Sequence, residues 1–402
     1  MIALELAEWA HGLEPTDDDL RLARRALIDT VTVSVAARGD PLLEIARPLG
    51  AAGRLGVAAH VLDYDDLHLP STSHISAVCV PAAVASGGDA RSYLAAAGVM
   101  ARLGRRLGWR HYAAGWHATC TAGAPAAAVA AGIAGGLDAE GLARAMALAV
   151  PAAGGNHRAF GTHAKALQVG FAVDAGVRAA KLAAAGATAD PGAFDAWLEL
   201  VGASGDAADG GDDDTAVPGG LAIKLHPCCY ALQRPIAAVR AALVGGETIA
   251  PDAIAAIGVC APVATLRPLI HDRPRSGLEG KFSLGYGVAA TLLDGSPGLG
   301  SFTDAAVARP EAQALLSRLE VREAAGSGDL LAGTVEVELR TRTGAVLSAA
   351  VKVPPGAPGR PPTEAELADK IGDCAGGQAD AVAGLTWDVA ASRGPALVDA
   401  GR

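Results

Sequence analysis

Five short segments hold most of the side chains in this sequence that could do acid–base or anion-binding chemistry. The densest reads Asp63-Tyr64-Asp65-Asp66-Leu67-His68, followed shortly by Ser71-Thr72-Ser73-His74. Apolar segments flank it, so its acids and imidazoles must sit at a helix end or in a loop laid against a core. Such a setting displaces pKa values and can supply a general acid or base. The structural alternative is capping, because acids near helix termini usually satisfy backbone donors. Asp63, Asp65 and Asp66 together also have the oxygen chemistry to hold magnesium.

The other four segments are sparser. In Gly115-Trp116-His117-Ala118-Thr119, His117 offers a group that titrates near neutrality beside an aromatic wall, or else a satisfied core imidazole. In Gly161-Thr162-His163-Ala164-Lys165, Thr162 is the expected N-cap of a helix. Lys165 would then stand in the first turn, against the helix dipole, where a bound carboxylate would justify a cation. Ile223-Lys224-Leu225-His226-Pro227-Cys228-Cys229 places Lys224 near a domain junction, where a lysine can clamp an anion. Lys281-Phe282-Ser283-Leu284-Gly285-Tyr286 offers the Tyr286 phenol, as a proton donor or as core. No GxxxxGK[ST] or strand-linked GxGxxG occurs, and the histidines lack the HExxH spacing of zinc proteases.

The elements that must position these groups read mostly as helices broken by Gly and Pro. Hydrophobic spacing predicts helices over Leu20 to Ala37, from Asp138 through Val150, and over Ala164 to Ala185 ahead of Gly186. Ala118 to Leu137 carries no charge and reads as a buried helix entered at Pro125; its Ala, Gly and Thr content is too weakly apolar for a membrane span. The Gly- and Asp-rich run from Gly202 to Gly220 reads as a linker. Beyond it the texture changes. Ala255 to Val263 is strand-like, and Leu319 to Val353 alternates around a turn at Arg342-Thr343-Gly344. PPGAPGRPP breaks the chain before a last helix, Glu364 to Ala375. The expected architecture is mainly α: an all-helical domain over 1–220 plus 355–402, and a smaller α+β lid domain over 221–354.

Composition narrows the function classes. The net charge is -10 and no Lys/Arg block stands out, which argues against a nucleic-acid partner. The six cysteines form no CxxC pair, and the N-terminal segment has acids but no basic region, so a cytoplasmic protein with reduced thiols is expected. No membrane association is expected. Abundant Ala with only 4% aromatics implies closely packed helices and a face to bury against a second copy.

Taken together and in order, HVLDYDDLH…SHISAVCVPAA, AAGWHATCTAGAPAAA, FGTHAKALQVGFAVDAGV, IKLHPCC and GKFSLGYGVAATLLDG resemble the MmgE/PrpD family. That family includes bacterial 2-methylcitrate dehydratases, cis-aconitate decarboxylases and iminodisuccinate epimerases. LIDTVTVSVAARG and PPTEAELADKI extend the likeness over nearly the whole chain. The resemblance implies a helical domain with an α+β lid, a homodimer, and catalysis on a small carboxylate without an organic cofactor or metal. Residue by residue, it implies Asp63, His74, His117 and Tyr286 as catalytic groups, with His74 and His117 as the acid–base pair and Asp63 orienting an imidazole. Lys165 and Lys224 would bind substrate carboxylates. Dehydration through a carbanion or enolate is the first expectation; decarboxylation or epimerisation is the alternative. Departures from the pattern bear on the substrate: Leu67 in place of Thr, a loop one residue longer before His74, Ile75 and Ala118 in place of Pro, and Cys229 where the decarboxylases carry His. Two other classes fit single features: a non-catalytic paralogue, and a metal-dependent terpenoid-type enzyme suggested by the acidic cluster. The latter lacks a second metal motif and enough aromatics to line its cavity.

Overall fold

A computed structural model of the chain describes residues 1–203, 215–243, 249–324, 332–394 and 396. The predicted linker lies partly outside these residues; its described end, 215–220, forms turns. Contacts divide the chain into two units: Met1–Ala159 with His163–Ala222 and Cys374–Arg402, and Phe160–Thr162 with Ile223–Asp373.

The first unit is helical. Its main helices are α1 (Ile2–His11), α2 (Asp17–Ala36), α3 (Pro41–Ile45), α4 (Ala51–His60), α5 (Ser76–Ala85), α6 (Ala90–Ala113), α7 (Ala118–Ala134), α8 (Ala139–Ala149), α9 (Ala164–Ala184) and α10 (Gly192–Leu200). Helix α7 is the centre: α5, α6, α8 and α9 all pack on it, and it is buried from Ala118 through Gly132. Small residues make this possible. A Cβ on Gly176 of α9 would lie 2.4 Å from the Ala124 carbonyl oxygen, so only glycine lets the two backbones meet there. The helix does not begin at Pro125, as the sequence suggested, but seven residues earlier, with His117 at the N-cap position. Pro125 sits inside, where it removes one backbone donor from an otherwise buried helix. No helix among the described residues is long and apolar enough to cross a membrane.

The start of α9 also differs from expectation. His163, not Thr162, precedes the helix, and no side chain caps it. The C-terminal end is as expected: Gly186 takes φ +90°, a left-handed conformation that suits glycine just past a helix. An apolar cluster of Ala37, Leu42, Ala46, Val57, Val61 and Ala166 ties the last turn of α4 to the first turn of α9.

The second unit carries α11 (Gln233–Ala242) and a four-stranded sheet of β1 (Ile254–Pro262), β2 (Leu319–Ala324), β3 (Val335–Thr341) and β4 (Val346–Val351), ordered β2-β1-β3-β4. β1 and β2 run parallel; β3 pairs antiparallel with both β1 and β4. Alternation in β3 buries Val335, Val337 and Leu339 while Glu336 and Arg340 face out, and α11 packs on β3 and β4. The division at the C-terminal side falls later than the expected 355. Ile223 N–H donates to the Gly356 carbonyl at 2.9 Å and Lys370 Nζ to the Lys224 carbonyl at 3.0 Å, so the segment up to Asp373 contacts the start of the second unit. A helix does follow at Glu364–Ala375.

Candidate active site

Four pieces of the helical unit meet around His60: the last residue of α4, the loop 61–75, the entry to α7 at His117, and the first turn of α9 at Lys165. The loop is fixed by its own backbone. Leu67 pairs with Ala222 in both directions, at 2.9 and 2.8 Å, and His68 pairs with Ser73. Asp63 and Thr72 each take φ +52°, an uncommon conformation for a residue with a Cβ. Such strain is retained where surrounding contacts over-determine it. Here Asp63 N–H donates to the His60 carbonyl at 3.0 Å, folding the loop back on the end of α4.

A single carboxylate oxygen organises the cluster. Asp65 Oδ2 lies 2.8 Å from His60 Nδ1 and 2.9 Å from His74 Nδ1. Burial alone would raise the Asp65 carboxyl, but the charges and hydrogen bonds of His60 and His74 outweigh it and hold it well below the usual carboxylate range. His60 Nδ1 therefore donates to the anion, which assigns Nε2 as the basic nitrogen of that neutral imidazole, while His74 Nδ1 stands within ion-pairing distance of the same oxygen. His60 Nε2 receives Lys165 Nζ at 2.6 Å, and the same ammonium donates to Asp63 Oδ1 at 3.1 Å. His74 Nε2 lies 4.0 Å from that Asp63 oxygen. Asp63 thus pairs with the lysine, and the carboxylate that orients an imidazole is Asp65, two residues further on.

His117 completes the group. Its ring centroid is 5.8 Å from that of His60, and the His60 and His74 centroids are 4.6 Å apart. Burial first, then the Lys165 charge and the neighbouring imidazoles, holds His117 well below its ordinary value, so it stays neutral. His117 N–H donates to the Gly155 carbonyl at 3.0 Å, and its Nδ1 lies 3.3 Å from Cys120 Sγ. Burial pushes the Cys120 thiol far up, so it keeps its hydrogen. With an S–H at Nδ1, the His117 hydrogen belongs on Nε2.

Four of the six residues singled out from the sequence therefore come together: Asp63, His74, His117 and Lys165, all under 10% exposed. Lys224 and Tyr286 belong to the α+β unit. Lys224 is fully buried there. The Tyr286 hydroxyl donates to the Ser301 carbonyl at 2.5 Å and its oxygen is hydrogen-bonded by Arg309. In this structure the phenolic hydrogen therefore goes to a carbonyl of its own unit. Sequence reasoning missed His60, Asp65 in its orienting role, and Cys120. His60 closes an apolar helix, and only its position immediately before the acidic run could have drawn attention to it.

His60, Asp63, Asp65 and His74 place ligand-type atoms within 4.8 Å of one another, a set with the chemistry to hold a divalent ion. The Lys165 ammonium already stands within reach of His60 and Asp63. It is the cation of this cluster, and a metal ion sharing those two ligands would have to displace it. The other members of the motif are structural. His68 Nε2 donates to the Pro218 carbonyl at 2.7 Å, its Nδ1 lies 2.7 Å from Ser71 Oγ, and burial lowers it to about 4. Asp66 accepts from the Ser76 N–H at 3.2 Å at the start of α5. Burial first, with the charge of Asp29, raises it to about 7 against the effect of Ser76.

No curated protein matches the chain. Two family models do: the MmgE/PrpD N-terminal domain over residues 44–198, which contains the whole cluster just described, and the MmgE/PrpD C-terminal domain over residues 226–386. Matched in this order over most of its 402 residues, the chain belongs to the MmgE/PrpD family.

Proposed function

We propose that the helical unit houses a cofactor-independent lyase site that dehydrates a small di- or tricarboxylate through a carbanion or enolate. The observation that carries this reading is the Asp65 carboxylate held against the Nδ1 of His74. A carboxylate behind an imidazole stabilises the imidazolium formed when Nε2 takes a proton, which suits a general base. His74 removes the proton from the carbon next to a substrate carboxylate. Lys165 binds that carboxylate and stabilises the charge that develops on it. His117, neutral with its hydrogen on Nε2, hydrogen-bonds the departing hydroxyl, and the proton that His74 took from carbon completes the water. Asp63 holds the lysine in place. Lys224 is the second carboxylate-binding cation on the strength of the family pattern.

A second reading has one observation in its favour. Two imidazoles on one buried cluster also suit removal of a proton by one and return by the other, which is epimerisation. Decarboxylation is less well supported, because Cys229 stands where family decarboxylases carry histidine. Homodimer assembly and a cytoplasmic setting complete the proposal. Phe171 and Leu182, both about half exposed on α9, recur at helical spacing and would be covered by a second copy.

The deciding experiment incubates the protein with citrate-like, aconitate-like and amino-dicarboxylate compounds in deuterated water and follows products by mass spectrometry. Loss of water supports dehydration. Deuterium uptake without loss of mass supports epimerisation, and loss of carbon dioxide supports decarboxylation. No change in any compound, with no melting shift on adding them, overturns the lyase reading.

A further inference from the structure

We infer that His60 is a positioning residue that sets both the anion-binding lysine and the base from one imidazole. The inference rests on the proposed lyase reading and deepens it. His60 is 1% exposed and stands between two of the groups assigned to chemistry. Its Nδ1 lies 2.8 Å from Asp65 Oδ2, the oxygen that also faces His74, and its Nε2 lies 2.6 Å from Lys165 Nζ. The two nitrogens have opposite duties. Nδ1 must donate, because its partner is a carboxylate. Nε2 must accept, because its partner is an ammonium with hydrogens only. Each duty enforces the other, since a neutral imidazole has one hydrogen and one lone pair to distribute. Lys165 at the head of α9 and His74 on the loop are thereby held at a fixed spacing through a rigid ring. The chain His74–Asp65–His60–Lys165 is continuous in hydrogen-bonding distance and lies wholly inside the helical unit. The ring has no part in the proposed proton transfers; it fixes where the base and the cation stand relative to one substrate.

Asparagine and glutamine separate the two duties. The amide nitrogen of asparagine falls near the place of Nδ1, and the amide oxygen of glutamine can reach the place of Nε2. His60→Asn keeps the donor to Asp65 and drops the acceptor for Lys165. Its kcat/KM should fall by about tenfold, the worth of one lost contact of about 1.4 kcal/mol, with the larger share in KM. His60→Gln keeps the acceptor for Lys165 and releases Asp65. Its kcat should fall on the order of 10²-fold, as for a displaced catalytic group, with KM held. His60→Ala should lose both. Imidazole nitrogen NMR of His74 supplies a readout that needs no substrate: the hydrogen should stay on Nδ1 in His60→Asn and redistribute in His60→Gln. Equal losses of kcat and KM in the Asn and Gln variants, or unchanged constants in both, would overturn the inference. If the wild type turns over no carboxylate, the lyase reading fails by itself. The NMR comparison then decides alone, and identical His74 spectra in both variants would sink the positioning role.

Discussion

His68 and His74 stand on the same loop, both buried, both next to serines, and they do different things. His68 spends its two nitrogens on a carbonyl and a hydroxyl, Pro218 and Ser71, and burial keeps it neutral. His74 faces two carboxylates, Asp65 at 2.9 Å and Asp63 at 4.0 Å. The difference shows that burial does not mark a functional imidazole. What marks it is the charge of its partners. A histidine paired with neutral groups holds a loop together, whereas a histidine backed by an anion can change its protonation state at a tolerable cost. The neighbouring acids divide in the same way. Asp65 is held anionic by imidazoles, while burial, helped by the charge of Asp29, raises Asp66 to about 7.

The sharpest attack on this contrast is to remove an imidazole from the charged side. His117→Ala should lower kcat by roughly 10²–10⁴-fold, the usual worth of a positioned acid or base, with the circular dichroism spectrum unchanged. Normal turnover in a destabilised protein would put His117 in the same class as His68. Lys165→Met comes next. Losing one charge-assisted hydrogen bond to a carboxylate, worth about 1.5–3 kcal/mol, should cut kcat/KM on the order of 10–200-fold. The melting shift produced by a saturating tricarboxylate should shrink as well, and a full shift in the variant would place the anion elsewhere.

On the neutral side the effects belong to stability. His68→Ala leaves a buried carbonyl and a buried hydroxyl without their partner, at about 1–3 kcal/mol for an unsatisfied group, while kcat stays at the wild-type value. Chemical denaturation and steady-state kinetics on the same preparation test both halves, and a large fall in kcat would erase the distinction drawn from the loop. Asp66 supplies a pH signature. Its folded value lies above its unfolded one, so the folded state holds the proton longer, and stability falls as pH rises from about 4 through about 7. The slope from this one group is at most about 1.4 kcal/mol per pH unit. Asp66→Asn should remove that slope, and the variant should gain on the wild type between pH 5 and pH 8 in melting experiments. A constant difference across that range would mean that Asp66 is ionised in the fold. The smallest effect is expected from chelation. With Lys165 as the cation of the His60–Asp63–Asp65–His74 cluster, exhaustive removal of divalent ions should leave the rate unchanged. A large loss that one divalent ion restores would show that a metal takes the place of the ammonium.

Much of this was legible in the chain itself. Hydrophobic spacing located α2, α8, α9 and the β3–β4 hairpin to within a few residues, because those elements bury one face and expose the other. The acidic run, the Gly-Trp-His segment and the lysine opening α9 were visible as chemistry out of place beside apolar helices. Periodicity failed where a helix is buried on all sides. Helix α7 has no polar face to mark its start, so Pro125 drew the boundary that His117 really holds. His60 was hidden for the same reason, since it ends a helix that is almost wholly buried. Tertiary structure alone decided which acid meets which base. Asp63 and Asp65 are both close in sequence to His74, and a left-handed turn at Asp63 sends one to Lys165 and the other between two imidazoles. Sequence order specifies which groups a loop carries; the directions of their side chains depend on backbone dihedrals that only the packed fold enforces.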